Sequence, residues 1–430
     1  MQRVVKEKNA PNKSNSSTVI ITNRLHSSNS TSSFLTIKLY VMQLYQNIGF
    51  AAIVSLLLIS CKKENNTSVS DPPDDDDCVT TITVKATAAE AGEDQYIIIY
   101  KNNRDRVQSS INNTEVILNR NKINKTAIRK TLDGNSPGSV MRLSIEAATR
   151  LKQDDDIEMI EPDKAIALST CFRIVEPRLL TWNINKVGFG SGSGKTAWIV
   201  DTGIDFDHPD LNSDESRSRT FINGQNSVRD ENGHGTHVAG IIGALNNRIG
   251  VLGVASGASL VACKVLDKEG DGLLSDIVDA LNYVGKNANP GDVLNMSLGL
   301  EGTSNILDRQ VALLAKQGVL ISIAAGNDGE EANAYSPARV NAPNVYTVSA
   351  IDSMNNFARF SNYGNDVVDY AAPGVRIVST YLNGRYARLS GTSMAAPHLA
   401  GLLLLTGGNI QSSGFAKNDP DGEPDKIASR

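Results

Sequence analysis

From residue 164 onward, short apolar segments alternate with longer amphipathic ones, and that alternation leaves few folds open. Residues 196–200, 260–265, 293–296, 319–324, 345–350 and 376–380 read as strands. Most are apolar at consecutive positions rather than at every second one, so both of their faces must be covered. Residues 236–245, 275–287 and 306–316 read as helices, and Ile277, Val278, Leu281 and Val284 fall on one face of the second. Repeated strand–helix–strand units of this kind predict an α/β fold: a mostly parallel sheet layered by helices on both sides. In such sheets functional residues gather beyond the carboxyl ends of the strands.

The chain before residue 164 has a different texture. Residues 94–163 run strand, helix, strand, strand, helix, strand, with Ser144 as the expected cap of the second helix and Asp133-Gly134-Asn135-Ser136-Pro137-Gly138 as a turn cluster. This predicts a small α+β, ferredoxin-like unit. Residues 62–93 contain DPPDDDD and read as an acidic linker. Residues 48–59, IGFAAIVSLLLI, are too short to span a bilayer and suit a signal-peptide core. Residues 1–41 are rich in Asn and Ser without periodicity, so a start at Met42 and a signal segment over 42–61 are expected. The net charge of −5 offers no basic field for nucleic acid.

Three stretches carry chemistry. AWIVDTG (197–203) is a strand ending in Asp201. NGHGTHVAG (232–240) puts His234 at a helix start, and GTSMAAPH (391–398) does the same for Ser393. Singly, each has an ordinary structural reading as a turn residue, a packed histidine or a close helix contact. Jointly they supply what acyl transfer needs. A protonated serine hydroxyl is a weak nucleophile and needs a base; the imidazole needs a carboxylate to fix its tautomer. His234 and His237 also form an HxxH spacing, but no Glu lies between them as a zinc hydrolase of the HExxH type would require.

The order Asp, His, Ser, with DTGIDFDHPDL (201–211), NGHGTHVAG and GTSMAAPH, resembles the three signature motifs of subtilisin-like serine proteases, the subtilases of peptidase family S8. The resemblance implies a subtilisin-like three-layer catalytic domain over 164–430 with Asp201, His234 and Ser393 as triad. It implies Asn327 as side-chain donor to the oxyanion. Gly270-Asp271-Gly272 and Ser297-Leu298-Gly299 would flank an extended peptide, and Ala324, Ala325 and Gly326 would line the pocket before the scissile bond. A structural calcium ion would sit at Asp369 with the carbonyls of Pro343 and Val345; the chemistry itself requires no cofactor. His208 and His398 would be structural.

By the same resemblance, residues 94–163 look like the inhibitor-type propeptide of this family, an intramolecular inhibitor removed by a cut between about 164 and 181. Leu58-Ile59-Ser60-Cys61 resembles a bacterial lipobox, which would make Cys61 a lipidation site and the only tie to a membrane. The expectation is an exported, monomeric endopeptidase acting on polypeptides and made as an autoinhibited, self-processing precursor at the cell envelope. The alternative is a catalytically silent module that binds peptides. Cys171 and Cys263 are either paired or free.

Overall fold

The computed structural model describes residues 79–85, 93–101 and 110–430. All of them lie in one compact unit spanning 73–430. The 1–41 extension, the apolar run at 48–59, Cys61 and most of the 62–93 linker lie outside the described residues. No helix among the described residues is long and apolar enough to cross a membrane.

One part of the linker is not a plain spacer. Residues Thr81–Lys85 form a strand, β1. The alternation of threonine with isoleucine and valine in TITVK gives it high strand propensity, a signal that the neighbouring run of aspartates overshadowed.

The small unit follows as β2 (Glu93–Tyr100), α1 (Ser110–Arg120), β3 (Ile128–Leu132), β4 (Gly138–Ser144), α2 (Ile145–Lys152) and β5 (Ile157–Pro162). Its strands pair antiparallel in the order β3-β4-β2-β5, the ferredoxin-like arrangement. Ser144 caps α2, its hydroxyl accepting the N–H of Ala147 at 3.3 Å. Ile98, Met141 and Leu143 face Ile117, Leu118 and Leu151 of the two helices. Ile97, Ile99 and Val140 point the other way, into the main core. The sheet is therefore buried on both faces, which QYIIIY requires of a strand with three consecutive isoleucines.

After β6 (Ala165–Ser169) the chain builds the large sheet. Its strands are β7 (Thr196–Asp201), β8 (Arg219–Thr220), β9 (Ser259–Lys264), β11 (Val293–Met296), β12 (Leu320–Ala324), β13 (Val345–Ile351), β14 (Val368–Pro373), β15 (Gln411–Phe415) and β16 (Lys426–Ser429); β10 (Asp271–Leu273) stands apart against β6. The order across the sheet is β8-β9-β7-β11-β12-β13-β14-β16-β15, parallel until the last pair. Along β7, Trp198 and Val200 face α4 (Leu274–Asn287) and α5 (Asn305–Lys316). Ala197 and Ile199 face α3 (His234–Gly243) and α6 (Thr392–Thr406). This period of two, with helices on both sides, is the three-layer α/β fold expected.

Residues 376–380 do not join that sheet. The strand observed is Ile377–Tyr381, paired antiparallel with Arg385–Leu389. Asn383 and Gly384 between them have φ of 62° and 67°, the Asn-Gly turn that favours a tight hairpin over a crossover.

The small unit is held by two carboxylates at helix starts. Asp163 accepts the N–H and hydroxyl of Ser275 at 2.9 and 2.6 Å, at the first turn of α4. Glu161 accepts the Asn305 N–H at 2.9 Å and the Ser304 hydroxyl at 2.7 Å, at the start of α5. Both satisfy backbone donors that a helix cannot satisfy itself.

Candidate active site

Asp201 ends β7 and His234 begins α3, and the turn geometry between them brings the two together. His234 Nδ1–H donates to both carboxylate oxygens of Asp201, at 2.8 and 3.0 Å, with both side chains fully buried. The helix start is fixed by Asp230. One of its oxygens accepts the Thr202 hydroxyl and the N–H groups of Asn232 and Gly233, each at 2.9 Å. The other accepts the Thr236 N–H at 2.9 Å and its hydroxyl at 2.6 Å. Gly233 has φ of 108°, and a Cβ there would lie 2.3 Å from the ring of Tyr381. Only glycine allows this turn to enter the helix.

Helix α6 is apolar on every side because it runs through the middle of the layer, buried from Thr392 to Leu404. Ser393 sits in its first turn. Its hydroxyl donates to the Ser297 carbonyl at 3.1 Å, and the Nε2 of His234 has no partner. Asn327, beyond β12, is oriented by Thr392, whose N–H and hydroxyl donate to Asn327 Oδ1 at 2.8 and 2.9 Å. That fixes the amide so that Nδ2 faces the cleft, where it donates to the carbonyl of Thr80 at 2.8 Å.

The two backbone segments of the expected cleft take different partners. β10 pairs antiparallel with β6, and the Leu168 N–H donates to Gly270 O at 2.7 Å. A Cβ on Gly270 would lie 2.2 Å from the Leu168 carbonyl, so this close approach needs the glycine. Asp271 and Gly272 continue the pairing with Ala167 and Ile166. On the other side, Leu298 and Gly299 line a pocket with Ala324, Ala325, Gly326 and Asn327, whose rim carries Glu301 and Asp328. Ser297 reaches Ser393 instead: its hydroxyl donates to the Ser393 carbonyl at 2.7 Å and accepts from Asn295 Nδ2 at 2.9 Å.

The remaining histidines are structural in their contacts. His237 Nε2 lies 3.1 Å from the carbonyls of both Ile377 and Ala387, so it carries a proton there, and burial pushes its pKa down to about 3. His398 Nδ1–H donates to Met394 O at 2.8 Å, leaving Nε2 to accept from Asn183; burial lowers it to about 4. His208 lies against the Arg385 carbonyl at 3.0 Å. His234 and His237 take separate partners, Asp201 for the first and the carbonyls of Ile377 and Ala387 for the second.

Asp369 lies on β14 beside Thr347 of β13, whose N–H donates to one of its oxygens at 2.8 Å, and burial pushes its carboxyl up to about 6. Among the described residues no three His, Cys, Asp or Glu gather to hold a metal ion, so any calcium there would rest on this carboxylate and on backbone carbonyls such as those of Pro343 and Val345. The cysteine alternatives resolve against a pair. Cys171 is disulfide-bonded, whereas Cys263 is a free thiol, buried in β9 and raised in pKa by that burial.

Sequence reasoning missed Asp230, Ser297 as a hydroxyl and Thr392. Asp230 had a signal, an aspartate four residues before His234 with Thr236 two beyond it, which is a capping pattern spread over a longer turn. Thr392 and Ser297 act through contacts between distant segments and had none.

Chain order now separates the classes that this chemistry allows. The carboxylate comes first, the histidine second and the serine last, on a doubly covered parallel sheet. That combination defines the subtilisin class of serine hydrolases, distinct from the chymotrypsin and α/β-hydrolase orders. The Subtilase family model matches residues 192–413, and the chain belongs to that family. It is 37% identical over 355 residues to the M-protease of Shouchella clausii strain KSM-K16, covering 78% of this chain and 89% of that protein. It is 45% identical over 234 residues to Subtilisin BL of Lederbergia lenta, covering 53% of this chain and 84% of that one. Among solved structures, a cold-adapted subtilisin-like serine proteinase matches with a TM-score of 0.52 and 33% identity, over 58% of this chain and 98% of that chain.

Proposed function

We propose that this subtilase is an exported serine endopeptidase in which Ser393, His234 and Asp201 act as one catalytic unit. The observation that carries the reading is the buried His234–Asp201 pair. Its Nδ1 is committed to the carboxylate, which leaves Nε2 as the only ring nitrogen able to accept a proton. In the reaction Ser393 Oγ attacks a peptide carbonyl as its proton passes to Nε2. Asp201 stabilises the imidazolium. The developing oxyanion takes a hydrogen bond from Asn327 Nδ2 and another from the Ser393 N–H, at the positive end of α6. His234 then returns the proton to the leaving amine, and water repeats the sequence on the acyl-enzyme.

Residues 94–163 are proposed to be an inhibitor-type propeptide. Their sheet packs on the core, their carboxylates Glu161 and Asp163 cap two helices, and the strand that follows them fills the Gly270–Gly272 edge. A substrate would add to that edge in the same way, as one more strand. Export follows from the signal-like segment at 42–61, and Cys61 is the proposed lipid anchor of the precursor. A calcium ion at Asp369, Pro343 and Val345 is proposed as structural only.

The silent, peptide-binding reading has one observation behind it: the Ser393 hydroxyl rests on Ser297 O rather than on His234. The test is to express the chain beside Ser393→Ala, following self-cleavage by mass spectrometry and labelling by a fluorophosphonate. Cleavage within 164–181 and labelling at Ser393, both lost in the variant, are expected. A folded wild-type chain that neither cuts itself nor takes the probe leaves peptide binding as the function.

A further inference from the structure

The carbonyl that meets Asn327 Nδ2 belongs neither to β6 nor to the segment after it. It is that of Thr80, from ahead of the small unit. Thr80 is fully buried, and its N–H donates to the Ser390 carbonyl at 3.0 Å. A Cβ built on Gly391 would lie 3.5 Å from the Thr80 Cβ, so this residue lies directly over the loop that carries Ser393. From there β1 runs away along β6 in an unbroken antiparallel ladder, Thr81 against Ser169 through to Lys85 against Ala165.

Direction is what matters. β6 runs antiparallel to β10, the orientation in which the cleft edge takes a strand here. β1 runs the opposite way. If Ser393 attacked the Thr80 carbonyl, the leaving group would be the Thr81 nitrogen. That residue sits in the ladder opposite Ser169, on the side where the retained part of a peptide running like β6 would lie.

We propose that Val79–Lys85 is a second inhibitory strap, a reverse-running segment that holds the oxyanion donor Asn327 while β6 holds the cleft edge. This rests on the reading of Ser393 and Asn327 as catalytic and of residues 94–163 as a propeptide. The strap differs from β6 in what it blocks. β6 occupies the edge where a peptide backbone pairs, whereas Thr80 occupies the hydrogen bond that a transition state needs. Because the strap precedes the small unit, a cut beyond Ser169 within the 164–181 window leaves the strap, the small unit and β6 on one fragment. Two attachments must then let go before the site opens, and a fragment bound at two places leaves more slowly than either alone.

The test uses the full chain and two substitutions at one position. Thr80→Pro removes the N–H that Ser390 accepts, while Thr80→Ala keeps the backbone donor and acceptor. After refolding, the lag before peptide hydrolysis appears is expected to shorten in Thr80→Pro by about three- to tenfold, the equivalent of one hydrogen bond, and to remain near wild type in Thr80→Ala. Equal lags in all three chains overturn the strap. A readout independent of catalysis is hydrogen exchange in the Ser393→Ala chain. Protection of the Thr80 amide comparable to that of β6 is expected there, and free exchange at Thr80 overturns the proposal. If no chain hydrolyses peptide at all, the protease reading fails while the exchange result still decides whether the strap is seated.

Discussion

Pro397 stands four residues after Ser393, at the position whose N–H would ordinarily close the helix onto the Ser393 carbonyl. Proline has no such donor. The Ser297 hydroxyl fills the gap at 2.7 Å, and the Ser393 hydroxyl returns a bond to the Ser297 carbonyl at 3.1 Å. Ser393 is thus fixed to the end of β11 by a pair of reciprocal bonds, which a continuous helix would not permit. Ser297→Ala leaves a buried carbonyl unpaired, at a cost of about 1–3 kcal/mol. The expected result is a lower melting temperature together with a fall in kcat larger than any rise in KM, read from denaturation curves and steady-state kinetics.

Asp230 accepts five hydrogen bonds and touches no catalytic atom. Asp230→Asn keeps the size but turns one acceptor into a donor facing other donors. Misplacing His234 even slightly is expected to lower kcat by about 10²-fold with KM little changed. A variant with wild-type kcat would show that the helix start holds itself.

The pocket beside Ser393 carries a negative rim. Glu301 and Asp328 line it, and Tyr335 at its wall donates to Glu330 at 3.0 Å. Burial is the largest cause raising the pKa of Asp328, a hydrogen bond from Tyr335 opposes it, and the charges of Glu301 and Glu330 add to it. Peptides with Arg or Lys before the cut are expected to show kcat/KM about tenfold above the Glu equivalents. Asp328→Asn should narrow that ratio, and added salt should narrow it further.

Asp425, with the Ser349 hydroxyl on one oxygen, is pushed up to about 7, chiefly by burial. The unfolded carboxyl titrates near 4. Because the folded pKa is the higher one, the stability this group contributes is present in full below the unfolded value and is lost as pH rises through about 7. Asp425→Asn is therefore expected to raise the melting temperature at pH 8 and to leave it nearly unchanged at pH 4. Scans at the two pH values give the comparison.

What could be read from the residues follows from the range of the forces involved. Strands of the large sheet were legible because burial on both faces leaves consecutive apolar residues, as in Ala197 to Val200, and helices because burial on one face leaves a period, as in Ile277, Val278, Leu281 and Val284. Asp201, His234 and Ser393 stood out because each ends a strand or opens a helix, and the geometry places the first two within hydrogen-bond distance. The Asn383-Gly384 hairpin was legible in principle but was read as a lone strand. β1 was hidden by the aspartates ahead of it. The reciprocal Ser297–Ser393 bonds, the orientation of Asn327 by Thr392 and the seat of Thr80 join segments far apart in sequence, and nothing local encodes them.

The carboxylates of Glu161 and Asp163 have a consequence for the lifetime of the enzyme. They complete the first turns of α4 and α5 from outside the catalytic domain, and such a cap is worth about 0.5–2 kcal/mol. Were the small unit to depart as proposed, two central helices would lose their partners together with the apolar face that Ile97, Ile99 and Val140 cover. The domain would then be born in better company than it keeps. Its persistence would depend on how slowly it opens, rather than on how deep its energy minimum lies. A protein that had once let go of its small unit and then unfolded would lack the carboxylates that complete the first turns of α4 and α5.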